Sequence, residues 1–255
     1  MTRAMIKIYG ERNTGTNYLH QLIDLNFDAV LLSGSAPGYV AKVQRKLPGN
    51  ELIKDLYFRF TFPRNLGWKH LKVPCANVLR QLSICSKRIL FVTVTKNPYS
   101  WLLSLYKRPY HAPQTALLDF EDFLRSPWRT VRRENAPNMF INPIDMWNKK
   151  NASYLQLSGE FPTINLKYED LLADPTATLS QIARCFSLQE KYQEFRNIES
   201  SSKGDARDFA FYQSYYLDEK WREELSGEAV NIINSQLDTG LMQHFRYEEL
   251  VPCQG

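Results

Sequence analysis

The chain has 255 residues, of which 44% are hydrophobic and 23% are charged. This ordinary globular balance excludes a disordered or fibrous chain. The longest apolar stretch, residues 89–94, is far too short to cross a bilayer. The net charge of +5 suits an anionic ligand, but it is too small to indicate a nucleic-acid partner. We therefore expect a globular protein with no membrane span that binds no nucleic acid.

The first residues contain neither the apolar segment nor the cleavage site of a secretion signal, so we expect a cytoplasmic protein. The four cysteines form no CxxC pair, and no histidine lies at metal-ligand spacing from them. We expect reduced, partly buried thiols and no bound metal. These cysteines are Cys75, Cys85, Cys185 and Cys253.

Strand and helix patterns alternate along the first part of the chain. Residues 5–9 form a short apolar run typical of a strand, and a helix from Thr16 is predicted by apolar residues three and four positions apart. Residues 27–32 and 67–71 are further strand candidates. Residues 33–65 show no clear period, so we expect loops or short helices over a binding face.

The second part continues this alternation. Residues 88–95 are apolar and β-branched, which is typical of a strand buried on both faces. Helices are predicted to begin at Pro98, Pro143 and Pro175, because proline is favoured in the first helical turn. Residues 162–168 form another strand candidate. The pattern predicts an α/β fold with a mostly parallel sheet flanked by helices, whose ligands bind at the carboxyl ends of the strands.

The segment between the first strand and the first helix, residues 10–17 (GERNTGTN), has the G-x4-G spacing of a Walker loop. Such a loop turns its backbone N–H groups onto a phosphate, and the helix start adds positive charge. Thr16 occupies the position of the Walker lysine, which an ATP-hydrolysing site needs. The loop therefore suits one phosphate held without a metal, or else a tight turn with no ligand.

Residues 14–18, Thr-Gly-Thr-Asn-Tyr, resemble the phosphosulfate loop of PAPS-dependent sulfotransferases, which reads Lys-Ser-Gly-Thr-Thr-Trp. The resemblance implies a P-loop NTPase-like sulfotransferase fold, PAPS (3′-phosphoadenosine 5′-phosphosulfate) as donor, PAP as product and no metal. It also implies that Tyr18 lies near the adenine and that the 5′-phosphate is held by Thr14, Gly15, Thr16 and Asn17.

The loop departs from the family pattern at the cation that stabilises the leaving oxygen. That position holds Asn13, with Arg12 one residue earlier. A neutral hydrogen bond from Asn13 is roughly half as strong as a charge-assisted one. The missing charge is therefore expected from Arg12, or from Lys69 or Lys72 further along the chain.

A second motif follows the buried strand. Lys96 ends that strand, and Ser104 lies eight residues later, about two turns into the next helix. A cation and a hydroxyl can then meet on one phosphate, and the spacing is similar to the Arg-to-Ser spacing of the family's 3′-phosphate motif. Lysine keeps the charge of arginine but loses its bidentate geometry. The alternative is a solvated lysine and a surface serine.

Two shorter matches extend the resemblance. Residues 166–175 resemble the family's Tyr-Glu-Asp-Leu segment, which implies that Tyr168 approaches the adenine; a half-buried tyrosine at a strand end is the alternative. Lys203 and Gly204 resemble the late loop that closes over the 3′-phosphate. The chain then reads as one domain, 1–255, with acceptor-binding insertions around 33–66 and 110–138.

Sulfuryl transfer needs a base for the acceptor proton, and histidine is the natural choice near neutral pH. His70 lies in a segment that resembles the family's Lys-Thr-His-Leu-Pro, whose histidine is the base, although here Lys69 directly precedes it. Glu11 is the second candidate, because some relatives use a glutamate. We expect His111 near the acceptor and a structural role for His20.

The sequence thus predicts a PAPS-dependent sulfotransferase that acts on a hydroxyl or amine of a glycan or small molecule. Its partners would be the nucleotide donor and an acceptor molecule. The residues do not identify the acceptor. A P-loop kinase using ATP is one alternative. A non-catalytic module that binds a nucleotide or glycan on a degenerate sulfotransferase fold is another.

Overall fold

The computed structural model describes residues 3–47, 51–86, 88–112, 117–198 and 207–252. Its strands in chain order are β1 (Ala4–Gly10), β2 (Ala29–Leu31), β3 (Ile89–Thr95), β4 (Trp128–Arg129), β5 (Met139–Phe140) and β6 (Thr163–Lys167). Strands β2, β1, β3 and β6 form a parallel sheet in that order, and β4 pairs with β5 in an antiparallel ribbon. The predicted α/β class with a mostly parallel sheet is confirmed.

The α-helices are α1 (Thr16–Asn26), α2 (Gly38–Arg45), α3 (Leu52–Asn65), α4 (Ala76–Arg80), α5 (Pro98–Lys107), α6 (Phe120–Arg125), α7 (Pro143–Leu155), α8 (Tyr168–Ala173), α9 (Pro175–Phe186), α10 (Phe209–Leu217), α11 (Gly227–Asn234) and α12 (Thr239–Phe245). Short 3₁₀ helices cover Ser83–Ser86, Arg132–Glu134 and Lys220–Glu224. Helices do begin at Pro98, Pro143 and Pro175.

Strand β3 lies inside the sheet and is buried along its whole length. Its alternate side chains point into two different hydrophobic clusters, because successive residues of a strand face opposite sides. Val92 and Val94 belong to the cluster that includes α1 and α5, whereas Phe91 packs with Tyr9 and Leu71 in the other. Helices therefore cover both faces, and the carboxyl ends of β1 and β3 meet at one edge.

The predicted strand at residues 67–71 is wrong. Leu66 and Gly67 both have left-handed backbone angles, φ 59° and 78°, which end α3 and turn the chain. The buried Lys7 ammonium of β1 donates to the carbonyls of Asn65 (2.6 Å) and Gly67 (2.5 Å). These hydrogen bonds hold the two carbonyls close to β1. The segment after Gly67 therefore forms a turn at the edge of the sheet. Residues 33–65, expected as loops or short helices, contain α2 and α3.

Two smaller expectations concern the cysteines and the membrane. Cys75 and Cys185 are exposed instead of partly buried, and with Cys85 they are free thiols; Cys253 lies outside the described residues. In the described ranges, no helix has both the length and the apolar character needed to span a bilayer.

Candidate active site

The turn between β1 and α1 has the backbone geometry of an anion-binding loop. Asn13 and Gly15 both adopt positive φ angles, 66° and 78°. A Cβ atom at Gly10 would lie 2.6 Å from the Val94 carbonyl oxygen, so only glycine allows β1 and β3 to approach here. Gly15 caps α1 without a side-chain hydrogen bond, which leaves the first N–H groups of this 11-residue helix uncapped. The Thr14 hydroxyl stabilises the turn by donating to the Glu11 carbonyl at 2.6 Å.

The structure brings Lys96 and Ser104 together. The Lys96 Nζ donates to the Ser104 Oγ at 2.8 Å, and Ser104 in turn donates to the Ser100 carbonyl at 2.8 Å. Lys96 is fully buried, and its ammonium lies 3.8 Å from the centroid of the Tyr216 ring on α10. Burial lowers the pKa of Lys96 from 10.5 to about 7, although the Glu169 carboxylate opposes this shift. The ammonium is thus held in a site with little compensating negative charge.

Hydrogen bonds connect this pair to the loop. The Asn13 side chain donates to the Ser104 carbonyl at 3.2 Å and accepts from the Tyr110 hydroxyl at 2.7 Å. Asn13 and Ser104 also line a cavity of about 140 Å³. Its other walls are Lys107, Arg108, Arg207, Phe211, Tyr212, Tyr215, Tyr216 and Glu224. Lys107 forms a salt bridge with Glu224 in this wall at 2.5 Å, and Arg108 and Arg207 add positive charge where the two motifs meet.

Lys69 and His70 reach the loop from the turn after α3. The Lys69 ammonium donates to the Asn17 side chain at the start of α1, and burial lowers its pKa to about 8. The His70 Nδ1 lies 2.5 Å from the Gly10 carbonyl oxygen. A carbonyl only accepts, so Nδ1 carries the hydrogen and Nε2 is the nitrogen that can take a proton. Burial, then the charges of Lys69 and Arg12, hold the pKa of His70 well below 6.5, so the ring is neutral at pH 7.

Beneath the loop lies a buried ion cluster of Glu11, Arg12, Glu134 and Lys150. Lys150 Nζ is 2.7 Å from both the Glu11 and the Glu134 carboxylates, and it also donates to the His70 carbonyl at 2.9 Å. Arg12 pairs with Glu134 at 3.0 Å. Burial alone would raise the pKa of Glu134, but Lys150 and Arg12 lower it to about 2. The two carboxylates and two cations balance each other.

The cluster bears directly on two predicted roles. The Arg12 guanidinium is 3% exposed and is engaged by Glu134, so it lies in the cluster instead of reaching the loop as a free cation. The Glu11 carboxylate is occupied by Lys150 and Arg12, which argues against it as the base. Lys69 is the cation that contacts the loop's helix start. Glu134 and Lys150 were missed by sequence reasoning, because no motif marks them.

The predicted adenine-side residues flank the same loop. The Tyr168 ring packs on Gly15, where a Cβ atom would come within 2.5 Å of it, and Tyr168 is buried instead of half-buried. Tyr18 donates to the Asn197 side chain at 2.6 Å and packs 5.8 Å from the Phe209 ring. The predicted pair Lys203 and Gly204 lies outside the described residues.

His111 and His20, for which acceptor-side and structural roles are predicted, differ in their surroundings. His111 receives a hydrogen bond from Arg12 at Nδ1 (3.0 Å) and contacts the Arg129 carbonyl through Nε2 (2.9 Å), so both ring nitrogens are occupied. His20 lines a cavity of about 460 Å³ beside α1 together with Asn17 and Lys69. Burial lowers the pKa of both rings.

A larger cavity of about 470 Å³ is lined by residues of the predicted insertions and by residues 67–78 between them, and mainly apolar side chains form its walls. Trp68 forms part of its wall and packs edge-on against His70, with ring centroids 4.9 Å apart. The other wall residues are Leu52, Asp55, Leu56, Phe58, Arg59, Phe62, Gly67, Leu71, Pro74, Val78, Arg132, Arg133 and Asn135. Trp68 thus connects the wall of this cavity with His70.

No family model matches the sequence, and no curated protein matches it. Among solved structures, the chain is similar to a sulfotransferase from Alicyclobacillus acidocaldarius, with a TM-score of 0.47 and 12% identity over 97% of this chain and 98% of that one. It is also similar to the sulfotransferase domain of the curacin biosynthetic pathway (TM-score 0.43, 15% identity, 98% of this chain and 99% of that one). Mouse sulfotransferase SULT7A1 complexed with PAP gives a TM-score of 0.41 and 13% identity over 93% of this chain and 69% of that one. The similarity to sulfotransferases concerns the fold alone.

Proposed function

We propose that this protein is a PAPS-dependent sulfotransferase. The observation that carries the proposal is the state of Lys96: its fully buried ammonium has the Ser104 hydroxyl as its hydrogen-bond partner and forms no salt bridge within the described ranges. The nearby Glu169 carboxylate instead accepts from the Asn97 backbone (2.9 Å) and the Tyr247 hydroxyl (2.8 Å). A buried charge without a counter-ion is costly, and a bound phosphate beside it would relieve that cost.

In this proposal, each phosphate of a doubly phosphorylated nucleoside has protein groups that can bind it. The uncapped start of α1 and the Lys69 ammonium suit the 5′-phosphosulfate. Lys96, Ser104 and the cations of the 140 Å³ cavity suit the 3′-phosphate. Because Asn13 joins the loop to the Ser104 carbonyl, the two phosphate sites are neighbours in the fold.

The proposed reaction is an in-line displacement at sulfur. The acceptor oxygen forms a bond to sulfur while the bond from sulfur to the 5′-phosphate oxygen breaks, and PAP leaves with that electron pair. His70 Nε2 takes the acceptor proton, since Nδ1 already donates to Gly10. Lys69 stabilises the negative charge that develops on the leaving oxygen. Asn13 is neutral and cannot supply this positive charge.

The donor assignment is tested by thermal shift with PAP and with ATP–Mg²⁺. A ligand at about a hundred times its Kd stabilises the protein by about 2.7 kcal/mol. We expect stabilisation by PAP, and a loss of roughly tenfold to a hundredfold in PAP affinity in Lys96→Ala. Lys149→Ala, an exposed lysine on α7, is the matched control and should bind normally. Unchanged PAP affinity in Lys96→Ala would remove the 3′-phosphate assignment, and stabilisation by ATP–Mg²⁺ alone would favour the kinase.

The base is tested with His70→Ala in a transfer assay over a panel of phenols, amines and sugars. We expect PAP binding to persist while turnover falls by about 10²–10⁴-fold. Normal turnover in this variant would place the base elsewhere. If the unmodified protein binds PAP but transfers sulfate to no acceptor, the chain is a non-catalytic nucleotide-binding module instead.

A further inference from the structure

Helices α2 and α3 each expose a stripe of apolar side chains. On α2 the stripe consists of Tyr39, Val43 and the following Leu47, and on α3 it consists of Leu52, Leu56 and Phe60. On each helix these residues are spaced by four and so lie along one side of it, and Leu47 follows two residues after α2 ends at Arg45. Tyr39 is 69% exposed and Phe60 is 75% exposed. Single exposed apolar residues are ordinary on a surface, but two such stripes on consecutive helices that pack together are not.

Cations accompany these stripes. Residues 38–65 contain six basic residues, Lys42, Arg45, Lys46, Lys54, Arg59 and Arg64, and two acidic ones, Glu51 and Asp55. Both acidic side chains pair with Arg133, a residue outside the two helices, at 2.6 and 2.8 Å. The basic residues thus give the surface an excess of positive charge, with Lys42, Arg45 and Lys46 exposed directly beside the α2 stripe.

We propose that α2 and α3 form a docking surface for an anionic lipid membrane, with the two apolar stripes entering the headgroup region and the cations meeting lipid phosphates. Helices that lie on membranes combine an apolar side with flanking lysine and arginine, and their binding rises with both apolar area and anionic lipid. The surface does not suit a second copy of the chain, because a symmetric contact would bring the same cations of both copies together.

The docking surface also adjoins the larger cavity. Leu52 and Leu56 belong to the α3 stripe and also line the 470 Å³ cavity, and Arg59 of the same helix lines it as well. A membrane in contact with the α3 stripe would therefore lie beside that cavity. The docking surface stands independently of the proposed sulfuryl transfer, since it rests on exposure and charge in α2 and α3.

The test is cosedimentation of the full chain with vesicles of phosphatidylcholine, alone or mixed with phosphatidylserine. We expect binding to the mixed vesicles that weakens as salt rises, and little binding to phosphatidylcholine alone. Tyr39→Ser combined with Phe60→Ser should weaken binding about tenfold or more. Lys42→Ser combined with Lys46→Ser should weaken it roughly tenfold. Ile141→Ser is the matched control, because Ile141 is 71% exposed outside α2 and α3, and it should bind as the unmodified chain does.

Several outcomes would overturn the proposal. The chain could stay in the supernatant with both kinds of vesicle, which would remove the docking surface. It could also bind both kinds equally, which would remove the role of the cations. The two double variants could also bind as tightly as Ile141→Ser while circular dichroism and thermal unfolding without ligand show that all variants are folded. Self-association of the unmodified chain in sedimentation velocity, lost in the Tyr39 and Phe60 variant, would identify a second copy as the occupant instead.

Discussion

Lys96 and Lys150 are both fully buried, but their surroundings are opposite in kind. Lys150 is surrounded by acceptors: two carboxylates at 2.7 Å and a carbonyl at 2.9 Å. Lys96 has one hydroxyl at 2.8 Å and the faces of two tyrosine rings, Tyr216 and Tyr168, 3.8 and 5.5 Å from their centroids. The charge of Lys150 is compensated within the protein, whereas the charge of Lys96 would be compensated by a bound anion.

This difference separates a buried charge that has carboxylate partners from one that has no salt bridge within the described residues. A charge inside the protein is tolerated when it is paired and hydrogen-bonded, and removal of one partner leaves the others uncompensated. The ion cluster around Lys150 supports the turn that carries His70 through the contact to its carbonyl. Lys96 has no salt bridge in the part of the chain that the structure describes, and under the proposed function a ligand phosphate would supply its counter-ion.

The same substitution at both lysines gives the sharpest test of this contrast. Lys150→Met should lower the free energy of unfolding by about 3–5 kcal/mol, because it leaves the Glu11 and Glu134 carboxylates buried with Arg12 as their remaining cation. Lys149→Met is the control and should change stability little, since Lys149 is largely exposed. Lys96→Met should leave stability unchanged or higher at pH 7, because it removes a desolvated charge. Chemical denaturation measures all three, and equal losses at Lys96 and Lys150 would contradict the comparison.

The next largest effect is the pH dependence of PAP binding. With its pKa lowered to about 7, Lys96 loses its proton as the pH rises above 7 in the free protein. A phosphate beside it favours the charged form, so binding above pH 7 requires proton uptake, and affinity should fall by up to about tenfold per pH unit. Calorimetry in buffers of different ionisation enthalpy measures that proton uptake. Lys96→Arg keeps its charge throughout and should abolish the uptake attributed to Lys96; persistence of the same uptake would assign it to another group.

A smaller effect is expected at the rim of the 140 Å³ cavity. Arg207 lines this cavity and is exposed, so solvent screens its charge. Arg207→Ala should weaken PAP binding by at most about fivefold, and the loss should shrink in high salt. Titration at two salt concentrations measures both quantities. A loss as large as that of Lys96→Ala would mean that the exposed cations, and not the buried lysine, hold the phosphate.

Much of the sheet and the contact between Lys96 and Ser104 could be predicted because the information is local. The apolar run of β3 and the proline at the start of α5 fix a strand followed by a helix, and eight residues then carry Ser104 back to Lys96. The G-x4-G spacing of the loop before α1 is likewise visible in consecutive residues. These features depend on neighbours in sequence and on the common geometry of parallel strands.

The remainder depends on contacts between residues far apart in the chain. Lys149 and Lys150 are adjacent and identical in sequence, but only the packing of α7 exposes one and buries the other against Glu11 and Glu134. The turn at residues 67–71 was misread as a strand, because the Lys7 ammonium that holds it lies some sixty residues earlier. The sequence by itself determined most of the alternation of strands and helices and the spacing of Lys96 and Ser104. Tertiary structure alone decided which charges are paired, because burial and ion pairing are set by segments that meet only in the folded chain.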